Sequence, residues 1–329
     1  MDFQITRRNA IVAGCVLGGL GGCASLPASD ERSQSPGAAG FTAGTVPAES
    51  DPLLVIHPEE THHNPATTAL AKRLLGGSSF AGIATAIADF SDGPSSDVVS
   101  ADVGKLAVIG SNTGYGSGAV VWAEWSEDDL REILERPGRD EPEPGTYHGR
   151  AIYETDELGA ATLADQAVAI GTARVVRSVV DVWHGDTDPV ADAVLRPFER
   201  TDRDAPVRFA TTGLAFQADS PSPRTAEYDP VANTSVSIAT EDREAIVDVA
   251  YEVEASDAAD PLAKALERDL GIGSASAAVE PVLPRGIRGD LAVDRNATVV
   301  TVRYRGSVDA VAEHVGDVVT TFGTATGQQ

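Results

Sequence analysis

The chain has 329 residues and a net charge of −25, from 50 acidic and 25 basic residues. This charge repels phosphate backbones and anionic lipid head groups, which argues against nucleic-acid partners and against electrostatic membrane binding. With 42% hydrophobic and 23% charged residues, the composition is globular, and the length predicts about two domains. The acids are spread along the whole chain, which predicts adaptation to high salt, where a Debye length of roughly 3 Å at 1 M screens self-repulsion.

The N-terminus has the order of an export signal. Arg7 and Arg8 precede an apolar, glycine-rich run over 11–22. As a helix this run is about 18 Å long, too short to cross ~30 Å of hydrocarbon, so residues 1–22 are predicted to be a signal peptide. The Arg-Arg pair resembles a twin-arginine signal, which belongs to the export pathway for folded proteins.

The end of the leader resembles a lipobox. Its four residues are Leu20, Gly21, Gly22 and Cys23. The resemblance implies cleavage before Cys23 and attachment of a lipid to its thiol. Taken together, the leader resembles those of exported lipoproteins of extremely halophilic archaea, which implies a protein held by its lipid on the extracytoplasmic face of the cell membrane.

The two cysteines agree with this interpretation. Cys15 lies in the segment that would be removed, so Cys23 is the only mature cysteine and no intramolecular disulfide can form. Residues 23–50 are rich in Ala, Ser, Pro and Gly without apolar periodicity, which predicts a flexible tether after the lipidated cysteine.

The first half of the body alternates strand-like and helix-like segments. Two helices are predicted over 66–75 and 80–90, followed by further elements with short turns between the strands. The predicted strands are 106–110, 119–125, 147–154, 160–172 (with a turn at Asp165-Gln166) and 207–216. The predicted helices are one capped by Ser126 and ending near Arg136, Ala173–His184 closed by Gly185, and Asp188–Glu199.

The second half repeats the pattern. Strands are predicted around Val236–Ile238, Val247–Val253, Leu291–Val293 and Val300–Tyr304, and helices over Asp260–Leu270, capped by Asp257, and Ser307–Phe322. Strands joined by short turns favour antiparallel sheets, and helices after each pair would cover one face. The prediction is an α+β protein with two β-β-α-β-β-α-like halves: a first domain over 51–217, a linker over 218–232 and a second domain over 233–325.

A stretch of about fifty residues also resembles a pattern in uncharacterised exported proteins of bacteria and archaea. It contains Ala167-Val-Ala-Ile-Gly-Thr, the helix with Val175-Val-Arg-Ser-Val-Val-Asp, and Ala205-Pro-Val-Arg-Phe-Ala. That resemblance brings no catalytic residues with it.

The densest group of metal-ligating residue types is His57-Pro-Glu-Glu-Thr-His62-His63. Imidazole nitrogens and carboxylates bind zinc or copper, and one loop can bring several of them together. Pro58 and Pro65 keep the segment extended, so the competing interpretation is an exposed linker without a cofactor.

Other candidate motifs favour structural roles. Asp186-Thr-Asp188 lacks the glycine and glutamate of an EF-hand loop, and Gly114–Gly118 is followed by a strand rather than by the helix a phosphate loop needs. His148, His184 and His314 are expected to be isolated structural residues. Asn233 and Asn296 fit the N-glycosylation pattern.

The sequence therefore favours a non-enzymatic, lipid-anchored surface protein of a halophile, with a binding or envelope-structural role. The alternative is an extracytoplasmic metal-binding protein or metalloenzyme that uses His57, His62 and His63. A solute-binding component of a transporter is a third hypothesis, weakened because hairpins are predicted where such proteins usually need strand–helix–strand alternation.

Overall fold

The computed structural model describes residues 45–58, 103–110, 116–135, 141–164, 166–214, 227–241, 243–272 and 289–310. The predicted signal peptide and lipobox, the helices predicted over 66–75 and 80–90, and most of the helix predicted over Ser307–Phe322 lie outside these residues. The described part is α+β, dominated by antiparallel strands with few helices. It divides into two compact units, with the change between Ala191 and Asp192.

In the described part, unit 1 has seven strands in the order β1-β2-β3-β7-β6-β5-β4, each antiparallel to its neighbours. The strands are β1 (Leu53–Ile56), β2 (Lys105–Ile109), β3 (Gly118–Trp122), β4 (Glu143–Tyr147), β5 (Arg150–Glu154), β6 (Leu158–Ala164) and β7 (Ala167–Thr172). The helices are α1 (Glu127–Leu134) and α2 (Ala173–His184).

The helices of unit 1 follow from local sequence. Ser126 caps α1 as predicted: the Asp129 amide donates to the Ser126 hydroxyl, and the Ser126 amide donates to the Asp129 carboxylate at 2.7 Å. The predicted bounds of α2 are confirmed, and its valines at helical spacing are buried. Apolar side chains of α1, β3 and β7 share one core, so the helix amphipathicity positions both helices on the sheet.

Unit 2 has five strands among its described residues, in the order β11-β12-β10-β9-β8, again with antiparallel neighbours. The strands are β8 (Val207–Thr212), β9 (Val231–Glu241), β10 (Glu244–Val253), β11 (Leu291–Asn296) and β12 (Val299–Ser307). The helices are α3 (Asp192–Arg200) and α4 (Ser256–Leu270). The two units therefore divide before α3, so α3 and β8 belong to unit 2 and not to the first half assigned from the sequence.

Several predicted bounds were wrong. The strand predicted over 147–154 is the hairpin β4–β5, and β1 was not predicted at all. Residues 45–50, expected to belong to the tether, are part of unit 1: Thr45 and Val46 are buried, and the Val46 carbonyl accepts a hydrogen bond from the Val190 amide. Composition alone marked this segment as a tether because its prolines and small residues hide a short packed stretch.

The predicted linker was also too long at its C-terminal end. Tyr228 is buried, and its hydroxyl donates to the Asp269 carboxylate at 2.8 Å. The strand β9 begins at Val231, before its first clearly apolar alternation at Val236. Residues 218–226 lie outside the described part. None of the helices in the described part has the length and apolar character of a membrane span.

Two buried tyrosines in unit 2 predict loss of stability at alkaline pH. Burial raises the pKa of Tyr251, and burial followed by the Asp269 carboxylate raises that of Tyr228, both from 10.0. The unfolded phenols ionise near pH 10 while the folded ones stay protonated, so their contribution to stability is complete below pH 10 and lost above it. Each contributes a slope of about 1.4 kcal/mol per pH unit. In urea titrations between pH 9 and 12, Tyr251→Phe should reduce the slope by about that amount; an unchanged slope would contradict it.

Candidate metal centre

The first part of the site is the turn between β4 and β5. This turn consists of His148 and Gly149, whose φ angles are +48° and +76°. Two successive positive φ angles are those of a type I′ turn, which suits the twist of a hairpin and usually contains Asn-Gly or Gly-Gly. A histidine in the left-handed region is uncommon, and here it presents the imidazole at the tip of the hairpin.

The second part is the C-terminus of α2. Gly185 has φ +86° and its amide donates to the Val182 carbonyl, while the Asp186 amide donates to the Asp181 carbonyl at 2.9 Å. This pair of bonds is a Schellman motif, which reverses the chain after a helix. The reversal brings Asp186 beside His184, the last residue of α2.

Two contacts hold the hairpin against α2. The Arg177 guanidinium on α2 donates to the Glu154 carboxylate on β5, with Nε to Oε1 at 2.7 Å, and this hydrogen bond raises the pKa of Arg177. The Tyr147 hydroxyl donates to Asp181 Oδ1 at 2.7 Å, and that bond raises the pKa of Tyr147. The phenol therefore stays protonated as a donor, and the turn is fixed beside the helix end.

The two parts place three ligand-type atoms together. Asp186 Oδ2 lies 3.1 Å from His184 Nδ1 and 3.4 Å from His148 Nδ1. The ligand atoms of the three residues all lie within 4.8 Å of one another. Zinc–ligand bonds of about 2.0–2.2 Å in a tetrahedron separate neighbouring ligand atoms by roughly 3.3–3.6 Å. The carboxylate thus lies from each imidazole at about the spacing of two ligands of one zinc ion.

The other ring nitrogen of His148 has a partner suited to a metal ligand. His148 Nε2 lies 3.1 Å from Asp181 Oδ1. A ligating histidine usually donates its second N–H to a carboxylate, which fixes the tautomer and orients the ring. Asp181 would do so here, itself held by the Tyr147 hydroxyl.

The site is open to solvent. The side chains of His148, His184 and Asp186 are 28%, 53% and 48% exposed. The two imidazole rings lie 4.4 Å apart between centroids. With three protein ligands, an ion would keep at least one position for water. Without an ion, the 3.1 Å between His184 Nδ1 and Asp186 Oδ2 is that of a hydrogen bond.

The predicted metal ligands do not form this site. His57 follows β1 and is partly buried, while His62 and His63 lie outside the described residues. The expectation that His148 and His184 are isolated was wrong. Two local signals pointed to them: a His-Gly pair within a strand-like run, typical of a hairpin turn, and a His-Gly-Asp sequence at a helix end.

The predicted glycosylation residues differ in position. Asn233 lies within β9, and its amide donates to Glu252 Oε2 at 3.0 Å. Asn296 is the exposed last residue of β11, beside a turn in which Ala297 has φ +51°. A glycan on Asn233 would be attached to the same nitrogen that donates to Glu252, whereas Asn296 is exposed.

The whole chain was compared with known proteins. No protein-family model and no curated protein matches the sequence. It is similar to the crystal structure of TP0453 in form III, with a TM-score of 0.50 and 10% identity over 84% of this chain and 98% of that one. Form IV of TP0453 gives a TM-score of 0.49 and 11% identity over 86% and 99% of the two chains. At this identity the form III likeness concerns the fold alone.

Proposed function

We propose that this chain is a lipid-anchored extracytoplasmic protein that binds one zinc or copper ion and catalyses no reaction. The observation that carries the binding role is the spacing of His148 Nδ1, His184 Nδ1 and Asp186 Oδ2, at 3.1 and 3.4 Å about the shared carboxylate. Imidazole and carboxylate together suit zinc and copper better than calcium or magnesium, which prefer oxygen ligands alone. The proposal keeps the metal-binding hypothesis made from the sequence, but its ligands are His148, His184 and Asp186 instead of the histidines at 57, 62 and 63.

The exposure of the ligands supports binding rather than catalysis. Metal-assisted hydrolysis works best in a dry, shaped cavity that positions a substrate beside the ion. Here the ligand side chains are about one-quarter to one-half exposed. A surface site of this kind suits capture and exchange of an ion outside the membrane.

Titration of the full chain with zinc tests the binding role. The protein is purified in detergent without an affinity tag, stripped with chelator and titrated by calorimetry at pH 7.5 and high salt. We expect saturation at one equivalent and release of protons on binding, because metal ions displace protons from their ligands. Absence of saturable binding of both zinc and copper would sink the proposal.

The anchor rests on the sequence of the leader. Replacement of Cys23 by serine removes the thiol that would carry the lipid, and no other mature cysteine could replace it. We expect the Cys23→Ser protein to move from the membrane fraction to the medium, measured by immunoblot of fractionated cells. A Cys15→Ser variant is the control and should stay with the membrane; retention of both variants would contradict lipid anchoring at Cys23.

We also propose that the two units share a duplicated β-β-α-β-β-α element. In unit 2 the supporting order is β9-β10-α4-β11-β12, after which residues 308–310 begin a helix. In unit 1 the order β2-β3-α1-β6-β7-α2 fits once the hairpin β4–β5 is treated as an insertion. The inserted hairpin is the element that contributes His148.

A further inference from the structure

The sheet of unit 2 has one apolar and one polar face. Residues that alternate along β9, β10 and β12, such as Val236, Val249 and Val302, are buried, and α4 packs against β10, β11 and β12. The intervening positions are polar. Register pairs Ser237 with Asp248 and Asp248 with Arg303, so these three form one row across the strands.

A second polar row lies beside the first. It pairs Ser235 with Ala250 and Ala250 with Thr301. A third row begins with Asn233 opposite Glu252. Three successive rows on this face therefore carry hydroxyl, carboxylate, amide and guanidinium groups.

The helix α3 covers only part of this polar face. It packs against β8 and β9, where the buried Arg208 guanidinium donates to the Phe198 carbonyl at 2.9 Å and to the Thr201 hydroxyl at 2.7 Å. The result is a cleft of about 210 Å³ with α3 as one wall and the polar rows of β9, β10 and β12 as its floor.

The floor offers hydroxyl groups to a ligand. Ser235 and Ser237 are 5% and 6% exposed, and both line the cleft. Each hydroxyl can both donate to and accept from a ligand in the cleft.

The charges in the cleft balance one another. Arg200 forms a two-bond pair with Glu252, with NH1 to Oε1 at 3.2 Å, and Arg303 Nε donates to Asp248 at 2.7 Å. Both arginines are therefore paired, and Asp202 adds one negative charge to the lining. A phosphate or carboxylate ligand would meet acids without an unpaired cation, so anionic ligands are disfavoured.

The size and chemistry select a ligand class. The volume lies below the 300–1,000 Å³ typical of sites for drug-sized molecules, and the lining lacks the apolar and aromatic majority of such sites. Carboxylates accept from hydroxyls, guanidinium and amide groups donate to them, and the serines do both. We propose that this cleft binds a neutral polyhydroxyl compound the size of a monosaccharide, in addition to the metal ion bound by unit 1.

The test is calorimetry of the full chain in detergent with a panel of probes. The panel holds neutral hexoses, pentoses and small polyols, with inorganic phosphate and glycine betaine as the anionic and zwitterionic alternatives. We expect saturable binding of at least one neutral compound and none of phosphate. The double variant Ser235→Ala/Ser237→Ala removes two hydrogen bonds and should weaken that binding about 30-fold.

A matched control separates recognition from damage to the sheet. Thr240→Val removes a hydroxyl from the opposite face of the same strand β9 and should leave the affinity unchanged. If the double variant does not fold, Ser237→Ala alone should weaken binding about fivefold. The proposal is overturned by binding of phosphate or betaine in place of neutral compounds, by no binding of any probe, or by equal affinities in the serine variants and the wild type.

Discussion

Gly171→Ala should destabilise unit 1 by about 4 kcal/mol or prevent its folding. Gly171 on β7 lies directly opposite Gly118 on the adjacent strand β3, and its φ angle is +150°. A Cβ at Gly171 would lie 2.5 Å from the Gly118 Cα and 2.5 Å from the Ser117 carbonyl oxygen. Both are backbone atoms and cannot rotate away, so the two strands must separate to admit the Cβ. The positive φ adds a backbone strain of about 1–3 kcal/mol for alanine.

Urea unfolding followed by circular dichroism measures this effect, and Gly185→Ala is the matched control. Gly185 also has a positive φ, +86°, but an added Cβ meets no atom within 4 Å. Only the left-handed backbone is penalised there, at about 1–2 kcal/mol. Equal losses of stability in the two variants would show that the close approach of β3 and β7 is not a constraint.

His148→Ala or His184→Ala should weaken zinc binding at least about 100-fold. Each variant removes one of two imidazoles and leaves a carboxylate and one nitrogen, which hold zinc poorly at an exposed site. Asp181→Asn should weaken binding by about 10- to 100-fold, because in the proposed site Asp181 would orient His148 without touching the ion. Competition with a fluorescent zinc chelator measures all three variants under the same salt conditions.

The controls for this series are the histidines of the other candidate cluster. His57→Ala and the pair His62→Ala/His63→Ala should leave the zinc affinity within twofold of the wild type. A large loss in the His62/His63 variant, with none in His148→Ala, would return the site to the cluster predicted from the sequence.

The sequence predicted elements well where a strong local signal marks both ends. Ser126 with Asp129 specified the start of α1, and Gly185 specified the end of α2. The sequence failed to predict a turn where the strand-like alternation of side chains continues through that turn. Residues 147–154 alternate as one strand, and only the positive φ of His148 and Gly149 divides them into two.

The proposed metal site was hidden in the sequence for a related reason. Its ligands come from a turn and a helix end that are 36 positions apart in the chain, and only the packing of the hairpin β4–β5 beside α2 joins them. The Arg177–Glu154 and Tyr147–Asp181 contacts that fix this packing are themselves long-range. Proximity along the chain favoured His57, His62 and His63, whereas ligand geometry depends on proximity in space.

The acidic composition explains why carboxylates alone did not indicate the position of a site in the sequence. With 50 acidic residues in 329, neighbouring acid pairs occur by chance along the chain. What distinguishes Asp181 and Asp186 is the imidazole within 3.1 Å of each. The six histidines are therefore a better guide to a metal site in this sequence than the acids.

The most direct measurement of the central claim is nitrogen-15 NMR of the histidine imidazoles before and after one equivalent of zinc. We predict that the Nδ1 resonances of His148 and His184 shift to the range of metal-bound nitrogen, while His148 Nε2 keeps its proton, donated to Asp181. The resonances of His57, His62 and His63 should not move. Zinc-dependent shifts at those three histidines, with His148 and His184 unchanged, would contradict the account.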